Sequence, residues 1–352
     1  MFRYYVCTLL LILLSCHVQA DTGFRQLTLH SQSTRPLNVT IWYPSYSTGQ
    51  PETAGENAAF YGESVRRDAV PQPEAHPLIL LSHGYGGSWR NLNWLAVALV
   101  KQGYIVAAPD HPGTTTQNRD PSAAKQLWLR PQDINQLLDA LLVNAEWAGK
   151  VDSKRIAAIG HSLGGWTVME LVGAQFSSSL FIDDCQHHPL FADCKLIETL
   201  GINSTPHQAL LDAPRINSRI KAAVSLDLGL ARGFTPTSLT NINVPVLVLS
   251  AEQDSVELPA SLESGYLAQH IPPRWVHFSP IIGATHFSFM QRCKPAAAAL
   301  IDKYSPGDGI VCSDQGSRSR EAIHQEIIAR VTVFLAASLN LPAGETRSAS
   351  VH

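Results

Sequence analysis

A serine hydroxyl is a weak nucleophile at neutral pH, so it needs a base within hydrogen-bond reach and a third group to orient that base. The stretch Ile156-Ala157-Ala158-Ile159-Gly160-His161-Ser162-Leu163-Gly164-Gly165-Trp166 offers such a serine. An apolar run meets a Gly-x-Ser-x-Gly turn, and a helical pattern resumes from Trp166. A serine wedged between a buried strand and a helix is forced into a strained backbone conformation. Gly160 and Gly164 flank it because side chains there would clash across so sharp a turn. The helix N-terminus adds backbone N–H groups and partial positive charge, which suit an oxyanion developing beside Ser162.

Upstream, the apolar run Leu78-Ile79-Leu80-Leu81 leads into Ser82-His83-Gly84-Tyr85-Gly86-Gly87. A glycine-rich strand exit lets backbone N–H groups face a ligand, so the Tyr85 and Leu163 N–H groups are the expected oxyanion hole. In this architecture the chain order is serine, acid, histidine. Beyond the serine, His286 follows the last predicted strand in a glycine-containing loop, whereas His270 and His277 fall in a helix end and a strand. Two aspartates at strand ends compete as the acid. Asp254, after the run from Val246, is the first choice, and Asp227, one strand earlier, is the alternative. Asp110 and His111 precede the serine and read as loop anchors. The expected chemistry is hydrolysis of a carboxylic ester through an acyl-enzyme, with no cofactor and no metal. The alternatives are an acyltransferase or peptidase using the same triad, or a catalytically idle binding protein of the same fold.

The elements that must position these groups alternate. Strand-like runs lie at 78–81, 104–109, 155–160, 222–227, 244–250 and 276–282, with helical patterns at 91–102, 131–147, 166–174 and 321–337 between and after them. That alternation predicts an α/β class with a mostly parallel central sheet flanked by helices. Segments 25–30 and 37–43 predict an antiparallel edge, and 44–75 reads as a long surface connection. Between 175 and 219 the periodicity fails, and an insertion after the nucleophile helix is expected to form a lid over Ser162. One domain is expected over 21–340, followed by a polar tail at 341–352.

The chain has 352 residues, 45% of them hydrophobic, and a net charge of -3. It can bury a large core, and it offers no extended basic surface for nucleic acid. A small-molecule or lipid ester is the expected partner. Residues 1–20 read as a secretory signal with cleavage after Ala20, hence a periplasmic or secreted protein with no transmembrane helix in the mature chain. A lipobox-like Leu13-Leu14-Ser15-Cys16 is the competing reading, in which Cys16 would be lipidated. Four cysteines then remain, and loop closure favours the local pairs Cys185 with Cys194 and Cys293 with Cys312. A metal site at Asp183, Asp184, His187, His188 and Asp193 is disfavoured, because no familiar ligand spacing occurs there.

Together these motifs resemble the α/β-hydrolase superfamily. More narrowly, they are similar to bacterial proteins predicted as dienelactone hydrolases that are similar to platelet-activating-factor acetylhydrolases. The resemblance rests on 81–87, on Ala107-Ala108-Pro109-Asp110-His111-Pro112-Gly113, on 160–165 and on Gly283-Ala284-Thr285-His286-Phe287, and it covers 78–286. It implies the α/β-hydrolase fold. Dienelactone hydrolases carry cysteine at the turn where this chain has Ser162. The acetylhydrolases place their acid after the strand matching 222–226, which implies Asp227. Most other members place it one strand later, which implies Asp254.

Overall fold

The apolar runs read from the sequence form the centre of a ten-stranded sheet. The computed structural model describes residues 21–252, 258–314, 316 and 318–339. The expected signal over 1–20 with Cys16, the tail at 341–352 and Asp254 lie outside the described residues. The strands are β1 (Asp21–Leu29), β2 (Leu37–Ser45), β3 (Gln50–Ala54), β4 (Glu63–Arg67), β5 (Ala75–Ser82), β6 (Ile105–Asp110), β7 (Lys150–His161), β8 (Ala222–Leu226), β9 (Val246–Ala251) and β10 (Val276–Ile281). Their order is β10-β9-β8-β7-β5-β6-β2-β1-β4-β3. From β10 to β6 every neighbouring pair is parallel, and β2 then runs antiparallel to both β6 and β1.

The continuous apolar runs exist because both sheet faces are covered. Leu78, Leu80, Ile156 and Ala158 point into one core cluster, and Ile79, Leu81, Ala157 and Ile159 into the other. The helices Leu129–Val143 and Leu163–Leu171 bury residues in the first cluster. Asn93–Val100 and Arg320–Leu339 bury theirs in the second. Arg320–Leu339 is long and apolar enough to cross a membrane by length and composition, yet Ile323, Ile327, Val331 and Leu335 are fully buried in that core.

Two expectations change. The stretch 44–75 is not only a connection, because it holds β3 and β4, which extend the sheet past β1 and make β3 the edge. The 175–219 insertion folds as short helices, Ser178–His187 and Thr205–Leu211, and drives Phe176, Phe181, Leu200, Ile202 and Leu211 into the first core cluster. Both expected disulfides form, Cys185–Cys194 and Cys293–Cys312, with Cα–Cα separations of 5.5 and 5.7 Å.

Candidate active site

Parallel strands carry their C-terminal ends to one rim of the sheet, and strand order decides which exits become neighbours. Register places Ser82 at the end of β5 beside Gly160 of β7, and His161 beside Leu226 of β8. The turn after β5, the serine after β7 and the aspartate after β8 are therefore laterally adjacent. Ser162 has φ 55° and ψ -123°, the strained turn expected of it, and its N–H donates to the Leu226 carbonyl at 3.0 Å. A Cβ on Gly160 would overlap the Gly164 carbonyl, and one on Gly164 would overlap that of Ser82, so neither position tolerates a side chain. Leu163 is the first residue of the helix Leu163–Leu171, so its N–H has no intrahelical acceptor.

His286 opens a short 3₁₀ turn, His286–Phe289, after β10. Its Nδ1–H donates to Asp227 Oδ2 at 2.6 Å, and Asp227 Oδ1 accepts the Ala251 N–H at 2.8 Å. Asp227 thus sits with φ 44°, its carboxylate pinned between the histidine and the end of β9. Of the two aspartates competing in the sequence, the structure brings Asp227 to His286.

The histidine turn is held from several sides. His161 Nε2–H donates to the His286 carbonyl at 3.0 Å, His324 Nε2–H to the Ser288 carbonyl at 3.0 Å, and Trp94 Nε1–H to the Phe289 carbonyl at 3.2 Å. Burial, with the nearby His286 in a lesser role, pushes His161 down to about 3. His161 therefore stays neutral and keeps the single N–H that this bond needs. Its role was not legible in the sequence, where it is only the variable residue of Gly-x-Ser-x-Gly.

Ser162, His286, His161 and Tyr85 border one cavity of about 580 Å³. Its apolar lining comes from Phe60, Phe287, Met290, Ile301, Ile310 and Val311, and its polar lining includes Glu56, Arg90, Asn91, Gln117, Arg119 and Asp308. Ile301, Ile310 and Val311 lie inside the loop closed by Cys293–Cys312. No described residue of 175–219, the expected lid, lines this cavity. That insertion instead braces the backbone beyond Asp227. Asp193 Oδ2 accepts the Leu230 N–H at 3.1 Å, and the buried Arg232 is shared by Asp184, Asp193 and Glu263. Asp184 lies near the Cys185 and Cys194 sulfurs, but these are joined in the disulfide and Asp184 is committed to Arg232, so the group does not fit a metal.

Asp110 and His111 serve the scaffold. Asp110 accepts the Trp89 N–H at 2.8 Å, and fully buried His111 bonds Ser82 Oγ and Asp133, each at 3.0 Å. Burial drives Asp110 and Asp133 up to about 6 and His111 well below its ordinary value.

Over 95 residues the chain is 34% identical to the cutinase est2 of Thermobifida alba, covering 26% of this chain and 29% of that protein. It is 25% identical over 185 residues to the platelet-activating factor acetylhydrolase of Cavia porcellus, covering 37% of this chain and 42% of that one. The matches thus span less than half the length of either relative. A ferulic acid esterase from Streptomyces cinnamoneus shares the fold with a TM-score of 0.61 at 20% identity, over 94% of this chain and 95% of that chain. A model of the alpha/beta hydrolase family matches residues 78–299, well over half of the sequence. With the parallel sheet, the strained serine turn and the histidine-bearing loop in their places, the chain belongs to the α/β-hydrolase family.

Proposed function

We propose that the protein is a serine carboxylic-ester hydrolase in which Ser162 is the nucleophile, His286 the base and Asp227 the orienting acid. The observation that carries this reading is the 2.6 Å bond from His286 to Asp227 on the rim of the cavity that also holds Ser162. With Nδ1–H committed to Asp227, the His286 Nε2 lone pair is free to take the serine proton. Ser162 Oγ adds to the ester carbonyl as that proton passes to His286. The carbonyl oxygen becomes an oxyanion held by the Tyr85 and Leu163 N–H groups. His286 then protonates the departing alcohol, leaving an acyl-serine. Water, deprotonated by the same imidazole, releases the acid and restores Ser162. Asp227 stays ionised throughout and stabilises the imidazolium.

The printed names of the similar proteins, cutinase and ferulic acid esterase, agree with an ester substrate. The cavity, lined by apolar side chains together with guanidinium, amide and carboxylate groups, fits a small amphiphilic ester. Two disulfides support an oxidising compartment, in line with the export signal read at 1–20. Ser162→Ala should lower kcat on p-nitrophenyl acetate by about 10⁴-fold or more. Retention of activity in that variant would exclude the mechanism. Product analysis with alcohol, amine and water acceptors should return the free acid; ester or amide products would favour the transferase reading.

A further inference from the structure

Below the turn that bears Tyr85 lies Arg130, only 1% exposed, whose guanidinium serves three separate segments. Nη2 donates to Ser82 Oγ at 3.2 Å and to the His83 carbonyl; Nη1 donates to Thr114 Oγ1 at 2.6 Å; Nε donates to Thr167 Oγ1 at 3.0 Å. Each contact leads to an oxyanion donor. Ser82 and His83 run directly into Gly84 and Tyr85. The Thr114 carbonyl accepts the N–H of Gly86, the residue after Tyr85, at 2.9 Å. Thr167 Oγ1 donates to the carbonyl of Leu163, the residue carrying the second donor, at 3.0 Å. One planar group therefore holds Tyr85 from both chain directions and Leu163 from below.

The surrounding hydrogen bonds leave this group no freedom to turn. Asp133 Oδ2, paired with Arg35 at 2.7 Å, accepts His111 Nδ1–H, which leaves His111 Nε2 to accept the Ser82 hydroxyl proton while Ser82 Oγ accepts from Arg130. The His111 backbone N–H donates to His83 Nε2 at 3.0 Å, so His83 Nδ1–H faces the Gly84 carbonyl at 2.7 Å. Rotating the guanidinium would strand a buried donor or acceptor, each at a desolvation penalty.

We propose that Arg130 is a positioning residue that fixes the spacing of the Tyr85 and Leu163 N–H groups, and with it the strength with which the tetrahedral intermediate is held. This rests on the assignment of those N–H groups as the oxyanion hole. Hydrogen-bond strength falls steeply with misalignment, so small shifts of either donor weaken the transition state while ordinary substrate binding persists. Lysine cannot replace the planar fork, because its ammonium is a compact charge without guanidinium geometry.

The experiment compares Arg130→Lys and Thr167→Val with wild type, per active site titrated with a fluorophosphonate. Thr167→Val keeps the core volume and the other Arg130 bonds, so it decides the question if Arg130→Lys does not fold. The expected result is a fall in kcat of about 10–100-fold with KM within about two-fold, less than loss of a whole oxyanion donor. The dissociation constant of a boronic acid, whose serine adduct places an oxygen in the oxyanion position, should rise by the same factor. That of an unreactive ether analogue should not. A fall in melting temperature with kcat per titrated site and boronate affinity unchanged would overturn the proposal and leave Arg130 a packing residue. Failure of the function reading looks different: Ser162→Ala would retain activity. An inactive Ser162→Ala beside an unaltered boronate affinity in Thr167→Val refutes this inference alone.

Discussion

Asp227→Asn is the substitution whose consequence the geometry specifies in most detail. The asparagine Oδ1 can keep the Ala251 N–H, as the carboxylate does at 2.8 Å, so the backbone around it has no reason to move. The amide nitrogen then faces His286 Nδ1, where Asp227 Oδ2 now accepts at 2.6 Å. An N–H pointed at Nδ1 selects the imidazole tautomer protonated on Nε2, which has no lone pair for the Ser162 proton. The imidazolium formed in the transition state also loses its carboxylate. Wrong tautomer and missing charge together cost about 10³–10⁴-fold in kcat, with KM within a few-fold, since Asp227 does not line the cavity. The assay is steady-state hydrolysis of p-nitrophenyl butyrate by Asp227→Asn and Asp254→Asn side by side, each corrected for folded fraction. Asp254→Asn should stay within a few-fold of wild type. Retention of more than about a tenth of kcat in Asp227→Asn, or the large loss appearing in Asp254→Asn instead, would refute the tautomer argument.

The stapled cavity wall and the buried histidines give two further tests. Because the Cys293–Cys312 loop supplies Ile301, Ile310 and Val311 to the cavity but none of the proposed reacting groups, Cys293→Ser combined with Cys312→Ser should raise KM several-fold while kcat changes little, as should mild reduction of the wild type. Kinetics with and without reductant check this, and an unchanged KM would count against the wall assignment. Burial, which dominates, and the Arg320 charge hold His324 down at about 3. The unfolded chain takes up a proton below about pH 6.5 that the folded chain refuses, and the His324 contribution to stability is lost as pH falls. Asp110 and Asp133, raised to about 6, work in the opposite sense, so the diagnostic quantity is a difference between proteins. His324→Phe, which keeps a ring against Trp94, should flatten the dependence of unfolding free energy on pH between 6 and 4.5 by about 1.4 kcal/mol per pH unit. Parallel urea titrations of both proteins would show otherwise if the slopes coincide.

What the sequence disclosed and what it hid follow from where the information lies. Ser162, its flanking glycines and the Tyr85 turn were legible because the strand exit and the strained turn are encoded within a few residues. The central strands were legible because burial on both faces demands unbroken apolar runs. The acid was not decided locally. Asp227 and the expected Asp254 each follow a buried strand, and only lateral strand order and the Ala251 N–H bring Asp227 to His286. β3 and β4 were missed because Gln50–Ala54 and Glu63–Arg67 bury only Ala54 and Val65 and pair through their backbones. An insertion after the nucleophile helix reads as a lid, yet which way a short helix turns its Phe181 is settled by the core it meets. Arg130, one residue before Pro131 on an amphipathic helix, looks in sequence like any surface arginine.

The most direct test of the proposed chemistry is to react the protein with a fluorophosphonate and locate the adduct by peptide mass spectrometry. One adduct per chain is predicted, on the peptide containing Ser162, with hydrolysis abolished in step with labelling, no adduct in Ser162→Ala and slowed labelling in Asp227→Asn. Loss of activity with the label on another residue, or full hydrolysis by a protein that takes up no label, would contradict it.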